Sequence, residues 1–135
     1  MKNIIQDFLQ QKRFAVAGSF ANETKYAYQI LQLLVQRGSL VYPVHPRLKE
    51  VAGLRCYPSI KDIPETCDAA SLVTPAEVSE KLVRECKEKG INRVWFQPGA
   101  ESEPVLEYCK KNAITAIHNF CIIVALQKEE VRNAE

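Results

Sequence analysis

Small and polar residues follow each of five short apolar runs in this sequence, and their types suggest binding chemistry. The first run ends at Gly18-Ser19 and leads into a loop that carries Phe20, Thr24 and Lys25. Glycine lets a ligand approach the backbone, hydroxyls donate hydrogen bonds, and lysine adds positive charge. The amides that open the following helix would face an anion. The spacing predicts a phosphate-binding loop, against the alternative of a tight turn with a solvated lysine.

The second apolar run ends in a positive charge, at His45-Pro46-Arg47. An NAD site would carry a carboxylate near this position to hold the ribose hydroxyls. Arg47 would instead attract a phosphate on the ribose, as in coenzyme A or NADP, so both fit better than NAD. The alternative is an exposed loop cation. The first loop also has a single glycine, Gly18, so it matches neither GxGxxG nor the Walker pattern.

The remaining runs end at Thr74-Pro75, Gln97-Pro98-Gly99 and His118-Asn119. The two prolines lack an amide hydrogen, so these loops would offer carbonyls and flat apolar surface to an adenine or a pantetheine arm. Helix initiation and turn formation are the alternative roles for these prolines. The carboxyl ends of parallel strands meet at one edge of a sheet, so all five loops should converge on one crevice.

The elements that must position these residues alternate between strands and helices. Apolar runs closed by turn residues predict strands at 14–17, 40–44, 69–73, 93–96 and 114–117. Helical spacing predicts helices at 1–11, 25–37, 75–89, 102–112 and 120–128. Between residues 47 and 64 we expect a short extended segment at 56–58 and one helical turn at 59–63. The alternation predicts an α/β chain: a three-layer Rossmann-like fold with a five-stranded, mainly parallel, doubly wound sheet.

Length and composition narrow the class of protein. The chain has 135 residues, 47% of them hydrophobic and 25% charged, which predicts one folded domain over residues 1–135. A net charge of +2 without a basic stripe argues against a nucleic-acid partner. No apolar run approaches the roughly 20 residues that span a bilayer, and the polar start is unlike a signal peptide. We therefore expect a cytoplasmic protein without a membrane partner.

Five cysteines are present, and their spacing matches no metal site. An odd number suits reduced thiols in a reducing compartment. Cys86 and Cys109 fall within predicted helices and should be structural. Cys121 would be reactive if it lay exposed at a helix N-terminus, and could then form a mixed disulfide with coenzyme A. We expect it instead to be a buried, inert core thiol.

Taken together, these segments resemble the family of stand-alone coenzyme A-binding domains, which is related to the nucleotide-binding domain of succinyl-CoA synthetase alpha subunits. The similarity runs from about residue 12 to 126. Its marks are FAVAGS at 14–19, the segment 25–28, VYPVHP at 41–46, CYPS at 56–59, IP at 63–64, VTPAEV at 73–78, VWFQPGA at 94–100 and Cys121. The order of the Tyr-Pro-Val-x-Pro and Trp-x-Gln-x-Gly segments is more specific than any single mark.

The resemblance implies a Rossmann-like fold that binds coenzyme A in the predicted crevice. Its contacts would fall on four strand ends: Gly18, Ser19 and Lys25; His45, Pro46 and Arg47; Thr74 and Pro75; Gln97 and Gly99. This chain departs from the family at His45, where asparagine is usual, and at Ala27, where glycine is usual. The loop between Ser19 and Lys25 is one residue longer. These departures should fall at the ligand-facing edge.

Catalysis is not expected. Neither His45 nor His118 belongs to a Ser-His-Asp or Cys-His-acid set, and the phosphorylated histidine of the related ligases is thought to lie in a second domain. We predict a module that binds coenzyme A or an acyl-CoA, to sense, buffer or deliver it, with an unidentified protein partner and, as is common for small domains, a homodimeric state. The alternatives are an NADP-dependent oxidoreductase and an interaction protein that kept the fold without the ligand.

Overall fold

The computed structural model describes residues 3–134, with side chains up to Glu129. Its strands are β1 (Arg13–Gly18), β2 (Leu40–Val44), β3 (Glu50–Val51), β4 (Leu54–Arg55), β5 (Ala69–Val73), β6 (Arg93–Phe96) and β7 (Thr115–Ile117). Its helices are α1 (Ile4–Leu9), α2 (Tyr26–Gln36), α3 (Ala76–Lys89), α4 (Glu103–Lys111) and α5 (Ile122–Ala134), with a 3-10 turn at Ile60–Asp62.

Five strands form one parallel sheet in the order β2-β1-β5-β6-β7. The chain runs outward from β1 to β2 and then returns to the other side of β1 for β5. The strand order therefore reverses at β1, and a crevice opens beyond the carboxyl ends of β1 and β5. This confirms the predicted doubly wound, Rossmann-like sheet.

Apolar side chains cover both faces of the sheet. Successive residues of β1 point to opposite sides, so Phe14 and Val16 join one buried cluster while Ala15 and Ala17 join the other. Residues of α1, α2 and α5 complete the first cluster, and residues of α3 and α4 complete the second. Because both faces are covered, the strands are apolar throughout, and this is the pattern from which they were predicted.

Two helix ends show why the helix bounds were readable. The Ser102 hydroxyl accepts a hydrogen bond from the Val105 amide at 3.3 Å and so caps the start of α4. Gly90 ends α3 with a φ of +87°, a left-handed conformation that glycine adopts without strain. These are the residues on which the sequence patterns placed the two ends.

Three differences from the predicted elements stand out. The predicted first helix is shorter, as α1 (Ile4–Leu9), and its residues 1 and 2 lie outside the described residues. The segment after β2 forms a two-stranded antiparallel hairpin, β3–β4, that was not predicted. The last helix starts at Ile122 and continues to Ala134, beyond the predicted end at 128. None of the helices within residues 3–134 has the length and apolar character needed to cross a bilayer.

The apolar face of α5 belongs to the core. Ile122, Ile123 and Leu126 are buried in the cluster that also contains Phe8 and Trp95. These three apolar residues, which from the sequence alone could serve either a dimer or the core, therefore pack within the chain. The Trp95 indole donates a hydrogen bond to the Phe120 carbonyl at 2.8 Å and so fixes the turn that leads into α5.

Candidate functional site

Strands β1, β2 and β5 end at the same level of the sheet. Gly18 pairs with Val73, and Ala17 pairs with Val44, so the loops that follow begin side by side. Beyond them lies a cleft of about 510 Å³, named here the α3 cleft because α3 forms one wall. Its apolar lining residues are Val44, Pro46, Pro58, Val73, Val78 and Leu82. The size and apolar walls suit a flat organic group.

A second, smaller hollow lies on the other side of the same strand ends. This β6 pocket, about 290 Å³, is lined by Tyr26 of α2 and by the loop after β6, which contributes Gln97 and Gly99. The segment 73–75 lines both hollows. One elongated ligand could therefore occupy both by crossing that segment.

Gly18 is required by packing between β1, β5 and α2. A Cβ atom at this position would lie 2.8 Å from the Val73 carbonyl oxygen and 2.8 Å from the Ala27 Cβ. Both distances are shorter than van der Waals contact allows. Ala27 belongs to the first turn of α2 and is buried in the core cluster, so the expectation that this position faces the ligand was wrong.

The loop between β1 and α2 holds its shape through its own hydrogen bonds. The Asn22 carboxamide oxygen accepts from the Thr24 amide at 2.9 Å and from the Thr24 hydroxyl, and the Asn22 carbonyl accepts from the Lys25 amide. Lys25 is the N-cap residue of α2, and its side chain makes no capping hydrogen bond. The first turn of α2 therefore has amides without a side-chain cap, which is the arrangement that anions bind.

His45 shapes the loop after β2. Its Nδ1 accepts hydrogen bonds from the backbone amides of Arg47 at 3.1 Å and Leu48 at 3.2 Å. An asparagine side chain can accept hydrogen bonds from the amides two and three residues further along the chain. His45 therefore makes the hydrogen bonds that the asparagine expected from the family resemblance could make. The histidine is half-buried and lines the α3 cleft together with Pro46.

Thr74 stands where β5 passes into α3. Its hydroxyl lies 2.7 Å from the hydroxyl of buried Ser79, and Pro75 is the N-cap residue of α3. The Pro75 carbonyl accepts from the amides of Val78 and Ser79. This segment is held against α3 and forms a fixed wall between the two hollows.

Glu85 lies in the α3 cleft and was not predicted from the sequence. It is 6% exposed, and its Oε1 accepts a hydrogen bond from the Ile60 amide at 2.8 Å. Glu77, Lys81 and Glu85 follow one another at four-residue spacing and line the same cleft. A signal was available, because Glu85 sits three residues after Leu82 on the apolar face of α3, where a charge is unusual.

Gln97 joins the end of β6 to the start of α5. It is 4% exposed; its Nε2 donates to the Cys121 Sγ at 3.1 Å, and its Oε1 accepts from the Ile122 amide at 3.2 Å. Gly99 has a φ of +97°, and its amide donates to the Glu101 carboxylate. Both predicted residues line the β6 pocket, with the Gln97 carboxamide already engaged within the protein.

The five thiols are free and fall into two groups. Burial raises the pKa of Cys67 and Cys109 to about 11, and burial also raises the pKa of Cys56 and Cys86. These four thiols stay protonated at neutral pH. Cys121 packs against the first core cluster and directly precedes α5, but it is partly exposed, so the expected core thiol is only partly buried.

Most of the predicted site residues come together. Gly18, Ser19, His45, Pro46, Thr74 and Pro75 line the α3 cleft, and the last two also line the β6 pocket with Gln97 and Gly99. The Phe20 side chain is buried in the core cluster and does not face the crevice. Lys25 and Arg47 are exposed and lie outside the lining of both hollows in the described part of the chain.

The chain is similar to several known proteins over the segment that contains this site. The chain is 34% identical to the ADP-forming acetate–CoA ligase II of Archaeoglobus fulgidus over 122 residues, which is 82% of this chain and 18% of that enzyme. It is 26% identical to YneT of Bacillus subtilis, with 90% of each chain covered. A conserved hypothetical protein from Pyrococcus furiosus has a similar structure, with a TM-score of 0.79 at 35% identity, covering 84% of this chain and 98% of that one.

The lengths of these relatives differ from one another. The chain spans between 11% and 21% of the acetate–CoA ligases that it matches, so it corresponds to one part of those enzymes. A family model described as a CoA binding domain matches residues 12–127, which include both hollows and all the strands that form them. The chain is therefore a member of the CoA-binding domain family.

Proposed function

We propose that this chain binds coenzyme A, free or acylated, at the carboxyl ends of the sheet strands and performs no catalysis of its own. The observation that carries the proposal is the pair of hollows that meet at 73–75 beside the start of α2. Coenzyme A has a nucleotide at one end and a long flexible arm at the other. A wide apolar cleft and a narrower pocket, joined at one wall, suit those two parts.

The charges beside the hollows fit the phosphates of such a ligand. The uncapped first turn of α2 offers backbone amides to an anion, and the helix dipole favours negative charge at that end. Lys25 and Arg47 flank the crevice from exposed positions, where their long side chains can reach a bound phosphate. The Ser19 hydroxyl adds a further donor at the cleft lining.

The contacts of the histidine nearest the site support binding without chemistry. The Nδ1 of His45 is engaged by two backbone amides and shapes its loop. That nitrogen therefore serves the loop as a structural acceptor. The enzymatic activity of the ligase relatives belongs to longer proteins, of which the matched segment makes up 11 to 21%.

A thermal-shift series on the reduced protein tests the proposal. Coenzyme A and acetyl-CoA should raise the melting temperature, because a ligand that binds only the folded state stabilises it. NAD, NADP and ATP provide the comparison. Stabilisation by NADP alone would replace the proposal with an oxidoreductase, and the absence of any shift would indicate an interaction protein that kept the fold.

A further inference from the structure

Glu85 is a buried carboxylate in a cleft whose walls are mainly apolar. Burying a carboxylate is costly unless hydrogen bonds compensate. Within residues 3–134, the bond from the Ile60 amide is the hydrogen bond that this carboxylate makes. A carboxylate has about four acceptor positions. The Glu85 carboxylate can therefore accept further hydrogen bonds from a group in the cleft.

The neighbours of Glu85 define what kind of group could use that capacity. Pro46 and Pro58 come from the β2 side of the cleft, and Val78 and Leu82 come from α3. Such walls favour a flat ring with apolar faces. A hydrogen-bond donor on the edge of that ring would meet the carboxylate. Adenine has this combination, because its 6-amino group donates hydrogen bonds at the ring edge.

Charge fixes the orientation of the nucleotide. Glu77 and Glu85 line the α3 cleft with Lys81 between them on the same helix face, so two carboxylates stand against one ammonium group and the net charge of this wall opposes a phosphate. The start of α2, with Lys25 beside it, attracts phosphates on the opposite side of Gly18. A nucleotide would therefore place its base toward α3 and its phosphates toward α2.

We propose that Glu85 selects adenine by accepting a hydrogen bond from the 6-amino group while Ile60 holds the carboxylate in place. This inference rests on the proposed binding of coenzyme A and names the part of the ligand that the α3 cleft takes. Hypoxanthine carries a carbonyl oxygen where adenine carries the amino group. That oxygen would face the carboxylate as a second acceptor, and the N1 hydrogen of hypoxanthine reaches the carboxylate only if the base shifts along its edge. An inosine nucleotide should therefore bind more weakly.

Calorimetric titration with two matched nucleotides tests the proposal. Adenosine 3′,5′-bisphosphate should bind the wild type about tenfold or more tightly than inosine 3′,5′-bisphosphate, because a hydrogen bond to a charged group is lost with inosine. Glu85→Gln should reverse this preference. Its carbonyl still accepts from Ile60, and its amide donates to the 6-oxo group of hypoxanthine.

Glu88→Gln is the matched control, because it removes the same charge from an exposed residue of α3 outside the lining of the cleft. It should leave the preference for adenine unchanged. Equal affinity of the wild type for both nucleotides, or an unchanged preference in Glu85→Gln, would overturn the role of Glu85 while coenzyme A still binds. Failure of the wild type to bind coenzyme A and both nucleotides would overturn the proposed function itself. The wild-type comparison stands even if Glu85→Gln does not fold.

Discussion

The two hollows at the strand ends are built on different principles. The α3 cleft is wide and mainly apolar, and its buried polar group, Glu85, is held to Ile60 through one oxygen. The β6 pocket is smaller, and its buried polar group, Gln97, uses both ends of its carboxamide within the protein. On the proposed function, this difference would let the cleft recognise a group by its edge, whereas the pocket would accommodate a chain against a surface whose polar groups are already paired.

The segment 73–75 is a wall that the two hollows share. Gly18 touches it directly, because a Cβ there would meet Val73 and Ala27. Gly18→Val should therefore damage the sheet and both hollows together. Overpacking at this contact should lower the free energy of unfolding by about 3 kcal/mol or more, measured by urea denaturation. Ser19→Ala, at an exposed neighbour, should leave stability nearly unchanged. A Gly18→Val protein as stable as the wild type would show that the strand end tolerates movement.

The next largest effect should separate the two hollows. Val78 is 44% exposed and lines the α3 cleft, so Val78→Trp should fill the cleft without disturbing the core. Affinity for adenosine 3′,5′-bisphosphate should fall by about 100-fold or more, measured by calorimetry. Tyr26→Ala, at a 58% exposed residue of the β6 pocket, should weaken coenzyme A but leave the bisphosphate unaffected. Equal losses in both variants would contradict the division into base cleft and arm pocket.

Substitution of Gln97 tests whether hydrogen bonds within the protein hold the β6 pocket in shape. Gln97→Leu removes the acceptor of the buried Ile122 amide, and an unsatisfied buried amide costs about 1–3 kcal/mol. Urea denaturation should show this loss of stability. Gln36→Leu makes the same substitution at an exposed glutamine of α2 and should leave stability nearly unchanged. If Gln97→Leu were as stable as Gln36→Leu, the hydrogen bond to Ile122 would not support the start of α5.

Arg47 tests the charge beside the α3 cleft. Arg47→Glu should weaken coenzyme A by roughly tenfold, because a charge-assisted contact to the ribose phosphate becomes a repulsion. Dephospho-coenzyme A lacks that phosphate and should lose less. The measurement is the ratio of the two dissociation constants, with Lys49→Glu, a nearby exposed cation, as the control. The same ratio in wild type and Arg47→Glu would exclude this role for the arginine.

The smallest effect is expected at His45. His45→Asn should retain an acceptor for the amides of Arg47 and Leu48, so the melting temperature should stay within about 2 °C of the wild type. His45→Ala removes the acceptor and should lower it further. An asparagine variant as unstable as the alanine variant would show that the imidazole contributes through packing in the cleft and not through its Nδ1.

The fold was largely readable from the sequence because the strands are apolar on both faces and end at turn residues. The run 40–44, closed by His45-Pro46, became β2, and Gly90 ended α3 as predicted. The β3–β4 hairpin was missed because each strand has two residues, too few to show a period. The end of α5 was missed because the charged residues after 127 give no stop signal.

The site was readable at the strand ends and less so elsewhere. Residues that directly follow a strand, such as Thr74, reach the crevice because the topology places them there. Phe20 and Ala27 lie in the adjoining loop and helix, and their orientation depends on the path of the chain, which local spacing does not fix. Glu85 was missed for a similar reason, since the cleft that it lines is formed by packing of α3 against the turn at Ile60.

The contact around Gly18 also bears on how relatives should be compared. Any protein that packs a helix this closely against β1 and β5 must keep a glycine there, whether or not it retains a ligand. A glycine preserved at this position is therefore a mark of the architecture, not of binding. On the proposed function, loss of binding during divergence would be recorded first at Ser19, Lys25 and Arg47, which are exposed and whose replacement leaves the packing of the sheet intact.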